Sequence, residues 1–187
     1  MTNIPYPNFT KVFILKCFGC KVGKNVVIKP WVKIKFPWML SLGNSVWLGE
    51  SVWIDNISNV IIGNNVEIGA NSSVDRAKFS ATIIGDGCKI DNLVQIGHNS
   101  KLGKFCIMAG NSGLAGSVTL GNGVIIGGSA SIKDHTVIGD GAIVGAGSGV
   151  TGDIPAGKTM LGYPAVEARD ALKQWAILKR LVRDANK

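Results

Sequence analysis

The chain has 187 residues, 20 Lys and Arg against 12 Asp and Glu, a net charge of +8, and 46% hydrophobic residues with 25 Gly. That composition is one domain in size, excludes a disordered chain, and contains no run near the roughly 20 apolar residues of a membrane-spanning helix. No nucleic-acid motif or basic-aromatic groove pattern accompanies the charge, so it reads first as solvated lysines and second as a preference for phosphorylated ligands or an acidic partner.

Residues 1–20 read as an N-terminal capping segment. Val12-Phe13-Ile14-Leu15 is too short for a signal-peptide core and Lys16 interrupts it, which predicts a cytoplasmic protein. Cys17 and Cys20 form a C-x-x-C with no second pair and no nearby His, a poor zinc or redox motif. Lysines cluster here and just beyond: Lys11, Lys16, Lys21, Lys24, Lys29, Lys33 and Lys35.

Residues 21–160 carry a six-residue period. From Ile84 to Val150 an aliphatic residue or Met recurs at every sixth position (Ile84, Ile90, Ile96, Leu102, Met108, Leu114 and onward), and the residue two places before each is small or β-branched. Neither a helix, with spacings of three and four, nor a simple alternating strand produces this pattern. It predicts an all-β fold, a parallel β-helix shaped as a triangular prism, in which residues i and i−2 of each short strand point inward and three hexads close one coil. A less regular ladder precedes it: Val22, Ile28, Ile34, then Leu42, Leu48, Ile54, then Ile62, Ile68, Val74. Register slips by two residues before Leu42 and Ile62 and by four before Ile84, so the surplus residues must leave as loops, the largest at Arg76–Ala81. About seven coils result, a prism roughly 33 Å long at the usual layer spacing. Glycines after the ladder residues, with the Asn, Asp and Gly that follow them, are expected to take the tight bends and positive φ of the corners.

Residues 161–187 read as a C-terminal turn and an α-helix. Ala171, Leu172, Trp175, Leu178, Leu181 and Val182 fall at helical spacing, with Lys173, Lys179, Arg180 and Arg183 mostly opposite. Packing on a neighbouring subunit or on the prism is the expectation, ahead of a membrane-surface role.

Cys88 and Cys106 occupy the small inward ladder 18 residues apart and read as buried space-fillers, not a bridge. Trp31, Trp38, Trp47 and Trp53 read as packing at the blunt end of the column or at a subunit contact, ahead of stacking on a sugar or base.

Chemistry must come from residues that leave the core. Only two histidines exist, His98 and His135. His98 follows the ladder residue Ile96 by two places, at a corner, and Gly116 stands 18 residues later, one coil along the same edge. Imidazole is the side chain that titrates near neutral pH, and a bare glycine beside it leaves a backbone N–H open. Together they offer a base for an incoming amine or hydroxyl and a donor for the oxyanion of a tetrahedral intermediate. No nucleophilic Ser or Cys shares this column, which favours one-step transfer over a covalent relay.

The segments Gly69-Ala70-Asn71-Ser72-Ser73-Val74-Asp75-Arg76 and Ile90-Asp91-Asn92-Leu93-Val94-Gln95-Ile96-Gly97-His98-Asn99 give residues 69–183 a resemblance to the UDP-3-O-acylglucosamine N-acyltransferases of lipid A synthesis. The resemblance implies a left-handed β-helix, His98 as general base, Gly116 as oxyanion donor, Asn92 as a site-positioning residue and His135 as a contact along the donor groove. It also implies a homotrimer, a thioester donor on acyl carrier protein or coenzyme A lying between subunits, a sugar acceptor, no bound cofactor and no metal.

Residues 22–66, through Lys29-Pro30-Trp31 and Val46-Trp47-Leu48-Gly49-Glu50, instead resemble the start of a capsule or colanic-acid type acetyltransferase, with a join near Glu67. One reading is a natural sugar acyltransferase. The alternative is an engineered or recombined chimera, a β-helix scaffold without efficient activity. Zinc chemistry of the carbonic-anhydrase kind needs three histidines and finds two. An ice-binding or purely structural prism would want flat outward rows of Thr or hydrophobic residues, and no outward Thr row repeats in the sequence.

Overall fold

The computed structural model describes residues 6–78 and 80–185. Residues 1–5 of the capping segment, Phe79 in the Arg76–Ala81 loop, and residues 186–187 after the final helix lie outside the described residues.

The chain winds as a left-handed parallel β-helix of about seven turns. Three parallel sheets form the faces of a triangular prism. The first begins with Lys21–Val22, the second with Val27–Ile28 and the third with Lys33–Ile34, and each strand pairs with the one three strands later. Register follows the sixfold ladder: in the third sheet Ile96 pairs with Val74 below and Leu114 above, and Leu114 with Ile132. Every coil therefore supplies the hydrogen-bond partners of its neighbours, as in other stacked repeats. The ladder residues from Leu42 to Val144 are almost wholly buried, with the small ladder (Cys88, Val94, Cys106, Val118, Val124, Ala130) filling between them.

Corners explain the composition more finely than bend propensity does. Every sixth residue from Gly87 to Gly147 takes a left-handed φ, including Asn99, Asn111, Ser117, Ser129 and His135, each three places after a ladder residue. The glycines directly after the ladder do not. They are required by close approach: a Cβ on Gly103 would stand 2.6 Å from the carbonyl carbon and oxygen of Gly121, one coil above. The expectation that these glycines serve positive φ is thus corrected to steric clearance between layers.

All three register slips leave the prism at the same edge, between the third and first sheets. They are residues 35–39, with a 3₁₀ turn at Pro37–Met39, then residues 56–59 and residues 76–81. The buried Asn56 amide pins the first of these loops, accepting from the Lys35 and Phe36 N–H groups at 3.2 and 3.0 Å. The third loop touches the next coil through the Lys78 N–H, which donates to Asn99 Oδ1.

At the N-terminal end α1 (Asn8–Cys17) closes the column with Leu15, and Cys20 follows into the core. At the other end Thr159–Leu161 pairs parallel to Ile143–Val144 and antiparallel to Val166–Glu167, leading into α2 (Ala168–Ala185). Within this helix only Ala171 is buried; Leu172, Trp175, Leu178, Leu181 and Val182 are exposed. The prism of the same chain does not cover that face.

Candidate active site

The corner position two places after each ladder residue sets the local chemistry. On the edge that follows the first sheet an Asn or Asp there caps the backbone N–H of the coil below. Asn44, Asn64, Asp86, Asn122 and Asp140 accept from Lys24, Asn44, Asn64, Lys104 and Asn122 in this way. Asn92 does the same on the next edge: its Oδ1 accepts the Ala70 N–H at 2.7 Å. On the third edge Asn56 caps the Phe36 N–H, and the same position farther along holds His98 and then Gly116.

Gly116 brings no side chain to cap the His98 N–H below it, and among the described residues the Asp134 carboxylate one coil above does not cap Gly116 in turn. Among the described residues the Gly116 N–H makes no hydrogen bond, while its carbonyl accepts the His135 N–H at 3.0 Å. The imidazole of His98 lies over this glycine: a Cβ on Gly116 would stand 2.5 Å from His98 Nε2. Gly110 and Gly128 also present uncapped corner amides, but neither has an imidazole beside it. A base and an open N–H donor therefore meet at one corner of the described chain.

A cavity of about 480 Å³ opens next to them along the outside of the third sheet. Gly97, Ala115 and Gly116 form its floor, where side chains are small or absent, and His98 stands at its rim. Its far wall is Trp53, Asp55 and Asp75, with Gln95 between. Asp55 and Asp75 are register partners, each directly after a ladder residue, where later coils have Gly97 and Ala115. Lys35 lies 3.3 Å from Asp55, and Gln95 Nε2 donates to Asp75 Oδ2 at 3.0 Å. These four residues escape a reading by period because outward positions are free of the packing rule. The signal available was the replacement of Asp by Gly and Ala at one hexad position. Trp53, expected as packing, is half exposed and faces the cavity.

The other two candidates lie apart. Asn92 sits at the opposite end of the Gln95–Ile96 strand from His98 and does not line the cavity. His135 is exposed, takes a left-handed φ of 59° and stands one residue out of the His98–Gly116 column, which continues to Asp134. Two coils, about 10 Å at the usual layer spacing, separate it from the His98 corner. Among the described residues no group of three His, Cys, Asp or Glu is placed to hold a metal ion.

The repeat is that of a known family. Residues 81–116 and 117–152 each match the bacterial transferase hexapeptide (six repeats) family. The chain is a hexapeptide-repeat protein. It is 57% identical over 128 residues to UDP-3-O-acylglucosamine N-acyltransferase 1 of Francisella tularensis, covering 68% of this chain and 37% of that protein. It is 52% identical over 165 residues to the UDP-3-O-acylglucosamine N-acyltransferase of Rickettsia conorii, covering 88% and 47%. The hexapeptide-repeat chain thus spans less than half the length of these relatives. An alignment of 165 residues cannot fit on either side of Glu67, so it crosses the supposed join and gives a chimera no support. Among solved structures, a UDP-N-acetylglucosamine acyltransferase from Bacteroides fragilis superposes with a TM-score of 0.72 at 21% identity, covering 80% of this chain and 70% of that one. The enzyme of that type from Acinetobacter baumannii gives 0.65 at 24%, covering 80% and 69%. Both show the shared fold.

Proposed function

We propose that this chain is an acyltransferase that moves an acyl group from a thioester, on coenzyme A or acyl carrier protein, to the amine or hydroxyl of a nucleotide-linked sugar. One observation carries the reading: the His98 imidazole packed on Gly116, whose N–H is uncapped, at the rim of a cavity. The relatives' names, UDP-3-O-acylglucosamine N-acyltransferase, favour a UDP-linked amino sugar and an amine nucleophile.

In this scheme the acceptor sits in the cavity against Trp53, Asp55, Asp75 and Gln95. His98 takes a proton from the acceptor amine as its lone pair bonds to the thioester carbonyl carbon. The carbonyl π pair moves onto oxygen, where the Gly116 N–H donates to it. Collapse of the tetrahedral intermediate breaks the C–S bond, and the departing thiolate takes the proton back from the imidazolium. No covalent acyl-enzyme and no metal is invoked. His135, farther along the same edge, contacts the donor arm, and Asn92 completes the site from a neighbouring prism of a homotrimer. The reaction is placed in the cytoplasm; no helix among the described residues is long and apolar enough to cross a membrane.

The test is thioester cleavage with acetyl-CoA and acyl carrier protein donors against a panel of UDP-linked amino sugars. The wild type transfers acyl groups and His98→Ala loses about 10²–10⁴-fold in kcat with its melting temperature unchanged. Full turnover by His98→Ala would refute the mechanism. Absence of transfer by both proteins would favour an inactive scaffold.

A further inference from the structure

The blunt end of the prism carries a feature that acyl transfer does not use. α1 packs by one face only: Asn8 Nδ2 donates to the Val26 carbonyl at 2.8 Å, Asn8 Oδ1 accepts the Ile28 N–H at 2.7 Å, and Lys11 Nζ donates to the Ile28 carbonyl at 2.9 Å. Leu15, on the same face, enters the core. The opposite face is aromatic and open. Phe9 is 75% exposed and Phe13 66%, one helical turn apart, and Phe18 at the helix end is 59% exposed. Trp31 and Trp38, in the first coil beside this end, are also exposed. Single exposed apolar residues are ordinary, but two aromatic rings one turn apart on an otherwise open helix face, with Lys16 beside them, mark something that covers it.

Charge indicates what that is. Residues 1–40 contain seven lysines and no Asp or Glu, so this one end holds charge nearly equal to the +8 of the whole chain. Among the described residues only Lys35 of the seven makes an ion pair, with Asp55. Crowding shows at Lys11, whose pKa is lowered by burial and by the neighbouring Lys29. α2 has an exposed apolar face too, but acids stand among its cations, Asp170 beside Lys173 and Asp184 beside Arg180 and Arg183, so that three of its five cations are paired within the helix. An open aromatic helix face in an acid-free field of lysines is the composition of a helix lying in a bilayer interface, rings in the acyl boundary and ammonium groups at anionic headgroups.

We propose that the α1 end of the prism docks on an anionic membrane surface, with Phe9 and Phe13 inserted and Lys16, Lys21 and Lys24 around them on the phosphate layer. The prism then stands on the bilayer by its closed end, leaving the His98 edge along its flank in water.

Sedimentation of the full chain with vesicles of phosphatidylcholine containing about one third phosphatidylglycerol, against pure phosphatidylcholine, tests this. Binding is expected to the anionic vesicles only and to fall steeply with added salt. Phe9→Ser with Phe13→Ser should abolish it, and Lys16→Gln, Lys21→Gln and Lys24→Gln should each weaken it about fivefold. The lysine variants and the salt series keep the test intact if the double Phe variant fails to fold. No binding to anionic vesicles, or binding indifferent to salt and to the lysine changes, overturns the proposal. So does a concentration-dependent dimer in sedimentation velocity that the Phe changes dissolve while vesicles stay unbound, because a second copy would then cover this face.

Discussion

Gly116 is defined by what it lacks. Its φ lies outside the left-handed region, and the three atoms nearest a Cβ belong to the His98 ring, the end of a movable side chain. Gly116→Ala should therefore leave stability within about 1 kcal/mol of the wild type in urea unfolding while pushing the imidazole off the corner. The expected loss in kcat is about 10²-fold or more, since misplacement of a base by an ångström is costly. In a His98→Ala background the added methyl loses its three nearest contacts, so the double variant should be no more than about threefold worse than His98→Ala alone. Additive losses would mean that Gly116 acts without His98. This pairing was legible in the residues because a spacing of 18 is one coil wherever no loop intervenes. The cavity wall was not legible, because Asp55 and Asp75 point outward, where burial imposes no period.

At the scale of the strand and its corner, two kinds of glycine do two jobs. Gly103 has an ordinary φ but no room, its Cβ falling 2.6 Å from Gly121 backbone atoms; Gly123 has a φ of 65° and open space around it. Overpacking against backbone costs about 1–3 kcal/mol, whereas Asn tolerates the left-handed region at little cost. Gly103→Ala should therefore lower the unfolding free energy by about 2 kcal/mol or more, and Gly123→Asn by less than about 0.5 kcal/mol, in matched urea titrations. Equal effects would show that backbone freedom, not clearance between layers, decides both sites. The sixfold ladder was readable because it is a packing demand repeated in every coil. The division between the two glycines was not, since both are simply Gly in the sequence and only the stacking of one coil on the next separates them. That the three loops share the His98 edge follows from counting: each slip comes after the third ladder residue of its coil.

For the whole molecule, the open question is what closes the site. Within one chain the cavity is bounded on one side only by the third sheet, and Asn92 and His98 stand at the two ends of the same strand, facing away around successive corners. A prism bearing both residues presents one at each edge of a face. Three such prisms around an axis would set the His98 edge of one chain toward the Asn92 edge of the next, and the exposed column of Ile107, Ile125 and Ile143 on the second sheet supplies apolar surface for such contacts. If the proposed trimer forms, Asn92→Ala and His98→Ala should each be deficient alone, because every shared site then lacks one component. Refolded together in equal amounts, the two variants should regain activity at about one quarter of the sites, those that draw His98 from one kind of chain and Asn92 from the other. Asn92 also caps the Ala70 N–H, so its variant is checked by melting temperature before mixing. Activity of the mixture no greater than the average of the two separate variants would place both residues in a site built by a single chain, or remove Asn92 from the site altogether.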